Sequence, residues 1–105
     1  MLMGGIIPSP GQGPTLKQQQ NGYLRVLAQG VGSNGTVVKS CMYLDVDPGY
    51  KDTSRMLAES AMTLKEGGAD GVPGGVYTPG AAMPEMLLER LKSTGTTYAV
   101  KVDRE

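Results

Sequence analysis

Apolar and polar residues alternate along two stretches in the first half of the chain. The first is Tyr23-Leu24-Arg25-Val26-Leu27-Ala28-Gln29, and the second runs from Thr36 to Val46. A period of two predicts strands. Between them lies Gly30-Val31-Gly32-Ser33-Asn34-Gly35, whose Asn-Gly step is a strong hairpin signal. The side-chain pattern selects the loop. A two-residue Asn34-Gly35 loop would set Leu24 against Asp45 and Arg25 against Leu44. A three-residue loop, Ser33-Asn34-Gly35, sets Leu24 against Leu44 and Val26 against Met42, with Gly35 at the left-handed position of a G1 bulge. The three-residue loop is the expectation.

After the turn at Asp47-Pro48-Gly49 the period changes. Residues 51–65 are predicted to form a helix, with Asp52 or Thr53 as N-cap and Gly67-Gly68 as its stop. Met56, Leu57, Ala61 and Leu64 share one face of it. Residues 66–75 form a glycine-rich loop, and Val76-Tyr77-Thr78 is a short extended stretch before Pro79. A second helix covers about 83–94, with Pro84 in its first turn, a Leu87-Leu88-Leu91 stripe and Gly95 as its cap. Thr97 to Val102 alternates again and supplies the last strand. The order β-β-α-(β)-α-β predicts an α+β domain, a mainly antiparallel sheet with two helices packed on one face. Residues 1–21, rich in Pro and Gly, are predicted to be an irregular lead-in to a single domain over 22–105.

Composition narrows the function. With 105 residues there is room for one domain. Phe and Trp are absent while Gly reaches 16 and Pro 7, so the core must lean on Met, Tyr and Ala or be borrowed from a partner. Ten Lys and Arg balance ten Asp and Glu, which leaves no basic excess for nucleic acid. There is no His, so His triads and His metal ligands are excluded. A single cysteine, Cys41, excludes an internal disulfide and a cysteine-cluster zinc site. No apolar run is long enough for membrane insertion, and Met1–Pro8 lacks the basic start and apolar length of a secretory leader. The expected location is cytoplasmic.

Four groups invite chemistry. Gly30 to Gly35 matches G-x-G-x-x-G, but a dinucleotide site needs a helix to begin there, and Thr36-Val37-Val38 opens a strand instead. Asp45, Asp47 and Asp52 fit turn and cap duties better than a cation site. Cys41 has no imidazole to activate it and is expected to be a packed or interface thiol. Tyr50 and Lys51, with Tyr77 and Thr78, flank the first helix and the glycine loop and could orient a ligand in a cleft.

Three stretches together are distinctive: Pro10-Gly11-Gln12-Gly13-Pro14, then Asp47 to Ala61 (DPGYKDTSRMLAESA), then Gly74 to Met83 (GGVYTPGAAM) followed by Leu87-Leu88-Glu89-Arg90-Leu91. In this order they resemble the C-terminal quarter of saccharopine dehydrogenase-like oxidoreductases over about residues 9–102. The resemblance implies an NAD(P)-dependent parent with an N-terminal Rossmann domain, followed by a sheet-based substrate and dimerisation domain of which this chain is a part. No Rossmann half is present in this sequence. The chain itself is therefore expected to bind no cofactor, to be inactive alone, and to pair as a homodimer through its sheet. No catalytic residue is carried over. The residues expected to face the substrate are Gly74, Gly75, Tyr77 and Thr78, with Tyr50 and Lys51 as further candidates. A free-standing small-ligand or protein-interaction module is the alternative.

Overall fold

The computed structural model describes residues 9–103. Met1–Pro8, weighed above as a leader, lies outside the described residues. Seven elements follow in order: α1 (Leu16–Asn21), β1 (Leu24–Val31), β2 (Val37–Leu44), α2 (Lys51–Lys65), α3 (Pro79–Ala82), α4 (Pro84–Thr94) and β3 (Thr96–Asp103). The strands form one antiparallel sheet in the order β1-β2-β3. The fold is α+β.

The hairpin takes the three-residue loop. Leu24 pairs with Leu44 and Val26 with Met42. Gly32 N–H donates to the Thr36 carbonyl at 2.8 Å, and Gly35 N–H to that of Gly32 at 3.0 Å. Gly35 sits at φ +83°, where a Cβ would be strained. Asn34 Oδ1 accepts from Thr36 N–H at 3.2 Å and steadies the bend. This register and the one between β2 and β3 divide the side chains into two faces. One carries Leu24, Val26, Met42, Leu44, Tyr98, Val100 and Val102. The other is mixed, with Arg25, Lys39, Lys101 and Asp103 beside Leu27, Val31, Val37, Cys41, Tyr43 and Ala99.

Helix α2 spans the predicted residues but is capped differently. Its N-cap is Tyr50, not Asp52 or Thr53. Asp47 Oδ2 accepts from Tyr50 N–H at 2.8 Å, and the Asp47 carbonyl accepts from Asp52 N–H at 2.9 Å, so the preceding turn starts the helix. Asp52 is buried and paired with Arg55 instead. The stop is a full Schellman motif: Gly68 N–H donates to Thr63 C=O and Gly67 N–H to Leu64 C=O, with Gly67 at φ +88°. At Gly68 a Cβ would lie 2.6 Å from Thr63 Cγ2 and 3.2 Å from Met83 Sδ. This closeness lets the chain fold back under α2.

Two local expectations are corrected. The lead-in is not irregular throughout, because Thr15 and Gln18 form a reciprocal capping box that starts α1. The extended stretch Val76-Tyr77-Thr78 joins no ladder: Val76 is wholly exposed, and Pro79 opens the short helix α3 directly after it.

The helical layer is held by polar staples as much as by apolar packing. Arg55, on α2, grips Asp52 through Nε at 2.7 Å and Nη2 at 3.1 Å. It also donates to Thr94 Oγ1 and Thr96 Oγ1, each at 2.7 Å, and to the Leu91 carbonyl at 3.3 Å. One guanidinium thus joins the start of α2 to the end of α4 and the first residue of β3. Arg90 on α4 reaches Glu59 at 3.1 Å and also Glu66, and these bonds, Glu66 first, raise its pKa. Among the described residues the buried apolar side chains are Leu44, Met83 and Leu87. The helices meet the sheet chiefly through α4 and β3, at the Leu44 end. The molecule is correspondingly open. Its radius of gyration is 17.7 Å, where a chain of this length packs to about 13 Å.

Candidate functional site

Of the stripe predicted to bury α2, Met56 is half-buried and the other three residues face outward. Leu57 is 72% and Leu64 58% exposed, and Ala61 is exposed beside them. The face that packs on α4 runs instead through Asp52, Arg55, Glu59 and Thr63. Polar groups took that face because Arg55 and Arg90 find their partners there, while Thr63 donates to the Glu59 carbonyl at 2.7 Å and is fully buried.

The outward stripe forms one wall of a groove of about 430 Å³. The glycine loop crosses opposite it, from Ala69 through Val72-Pro73-Gly74-Gly75 to Tyr77-Thr78-Pro79, and Met83 closes the base. Gly74, Gly75, Tyr77 and Thr78 are therefore brought together on a single wall. At Gly75 a Cβ would lie 3.2 Å from Tyr77 Cε2 and 3.4 Å from its Oη, so the Tyr77 ring would have to shift by a few tenths of an ångström to admit one. Gly74 has open space around the same position. The Thr78 carbonyl accepts from Ala81 and Ala82 N–H, while its hydroxyl makes no capping bond. The groove is thus apolar, with the Tyr77 and Thr78 hydroxyls as polar points on the loop side. No carboxylate, Lys or Arg lines it.

Tyr50 and Lys51 lie elsewhere. The Tyr50 ring covers Gly13, whose Cβ position is 3.5 Å from Tyr50 Cζ, and so holds the Pro10–Pro14 segment against the start of α2. Lys51 borders a smaller cleft of about 200 Å³ with Asp45, Asp52, Arg55 and Thr94. A third hollow, on the charged face of the sheet, is lined by Tyr23, Arg25, Cys41, Tyr43 and Thr97, with Tyr23 and Tyr43 stacked 6.3 Å apart.

The Gly30–Gly35 run does not fit a dinucleotide. It is the hairpin loop, with β2 rather than a helix after it, so no row of helix N-terminal amides faces it. Among the described residues no helix is long and apolar enough to cross a membrane.

Known proteins similar to this chain include trans-acting enoyl reductases. A provisionally named trans-acting enoyl reductase of Mycobacterium tuberculosis is 36% identical over 99 residues, which are 91% of this chain and 23% of that protein. Trans-acting enoyl reductases of Mycobacterium bovis and Mycobacterium ulcerans are each 33% identical over 95 residues, 90% of this chain and 22% of theirs. The chain is similar to part of an oxidoreductase. It spans about a quarter of the length of these relatives. No family model matches the chain, and no solved structure does.

Proposed function

We propose that this chain is the C-terminal substrate and dimerisation portion of an NAD(P)-dependent, saccharopine dehydrogenase-like oxidoreductase that reduces enoyl substrates. The observation that carries the reading is the similarity of nine-tenths of the chain to trans-acting enoyl reductases about four times as long. The nicotinamide cofactor belongs to the rest of such a polypeptide and supplies the hydride there. This chain's part is to bind. The apolar groove along Leu57, Ala61 and Leu64 takes the hydrocarbon part of the substrate, and Tyr77 and Thr78 orient its polar end by hydrogen bonds. Gly74 and Gly75 keep the loop wall thin. Tyr50 and Lys51 lie too far round the molecule to share this groove and serve the edge of the portion. The charged face of the sheet, with Arg25 and the stacked Tyr23 and Tyr43, pairs with a second copy, since Tyr and Arg are favoured at protein interfaces.

A hybrid enzyme tests the reading. This chain replaces the matching quarter of the Mycobacterium tuberculosis relative, and NAD(P)H-dependent enoyl reduction is followed by the loss of reduced-nicotinamide absorbance. Turnover within about tenfold of the parent, about 1.4 kcal/mol in the barrier, is the expected result, with none when the quarter is deleted. A folded hybrid without activity would favour the free-standing module.

A further inference from the structure

We infer that the exposed part of the uncharged sheet face is a docking surface for the remaining three-quarters of a full-length polypeptide, an inference that rests on the reading just proposed. The register places no charged residue on this face, whereas Arg25, Lys39, Lys101 and Asp103 all lie on the other. In a sheet with one wet side, the uncharged side is the one that packs. Here it packs only at one end. Leu44 is 1% exposed, but Val26 is 40%, Val38 39%, Val100 52% and Val102 50% exposed. The helical layer stops short, and four valines across three strands are left in the open.

The scale of the exposed surface points the same way. The chain exposes 7976 Å², whereas a folded monomer of its mass exposes about 5,600 Å². The excess, roughly 2,400 Å² over the whole molecule, is of the size buried in obligate interfaces. The relatives carry this segment within chains about four times longer, so the occupant is that remainder, presenting an uncharged apolar layer. A second copy fits the opposite face better, where Tyr and Arg side chains gather.

Thiol accessibility decides it. Val100→Cys and, as an opposite-face control, Lys101→Cys are each placed on a Cys41→Ser background. Both are made in the isolated chain and in the hybrid enzyme, and labelling by a small disulfide reagent is timed. The Val100→Cys thiol should label at least a hundredfold more slowly in the hybrid than in the isolated chain, and Lys101→Cys should change less than fivefold. Equal labelling of Val100→Cys in an active hybrid overturns the docking surface while leaving the enzyme reading intact. Protection that is already present in the isolated chain and grows with its concentration assigns the face to a second copy and overturns the proposed occupant. An inactive hybrid that still protects Val100→Cys supports the surface and counts against the enzyme reading alone. One that is inactive and unprotected sinks both.

Discussion

At the residue scale, single side chains carry a disproportionate share of the architecture. Arg55 binds a buried carboxylate side-on and ties three elements together. Removing one member of such a pair leaves Asp52 buried without its counter-charge, so Arg55→Ala should cost about 3 kcal/mol in urea unfolding. Arg55→Lys should recover only part of that, because a lysine cannot span both Asp52 oxygens and the two threonine hydroxyls at once. Gly35→Val should cost on the order of 1–2 kcal/mol, since φ +83° is costly for a β-branched residue. Asp103 provides a pH-dependent contrast. The hydrogen bond from Lys101, aided by Lys39, holds its carboxyl below the usual range. Its contribution is therefore present above the ordinary carboxylate pKa and is lost as pH falls through the lowered value. Asp103→Asn should lower the melting temperature slightly at pH 7 and leave it unchanged near pH 2. An equal effect at both values would remove this ion pair from the account.

At the element scale, α2 and α4 make opposite use of leucine. Leu87 on α4 is 7% exposed and Leu57 on α2 is 72% exposed. Leu87→Ala should destabilise by about 2–4 kcal/mol through lost burial and a cavity, and Leu57→Ala by less than about 0.5 kcal/mol. Chemical denaturation of the two variants side by side is the check. The sequence made both stripes visible but not their destinations. Periodicity reports which residues share a face, and 57, 61 and 64 do share one. It does not report which face meets the neighbouring helix, and here Arg55 and Arg90 decided that by finding Asp52, Thr94, Thr96, Glu59 and Glu66. The hairpin was legible to the register because Asn34-Gly35 and the pairing of Leu24 with Leu44 agree, so turn chemistry and side-chain pattern give one answer. The α1 cap was present as Thr15-x-x-Gln18 but was masked by the prolines around it. Of the groove, the loop wall from Gly74 to Thr78 could be read from its glycines and hydroxyls. The α2 wall could not, since an apolar stripe on a helix ordinarily signals the core.

At the scale of the whole molecule, the sheet offers two unlike surfaces, and each should find its own partner. The uncharged face is the one proposed above to receive the rest of a longer polypeptide. The charged face has the stacked pair Tyr23 and Tyr43 beside Arg25 and half-buried Cys41, around a shallow hollow. Aromatic and Arg side chains clustered in this way are the usual anchors of an interface, and two-fold pairing is the commonest way for one copy to meet another. Tyr43 lies near the centre of that cluster, opposite Arg25 in the ladder. Tyr43→Glu would bury a carboxylate in the paired state and remove the stacked ring, so it should weaken association at least tenfold, about 1.4 kcal/mol. Sedimentation of the hybrid enzyme at tens of micromolar is the measurement. The unsubstituted protein should run as a dimer and the Tyr43→Glu protein as a monomer, with Val100 equally protected from labelling in both. Loss of that protection together with the dimer would mean that the two faces do not act independently, and that one partner covers the whole sheet.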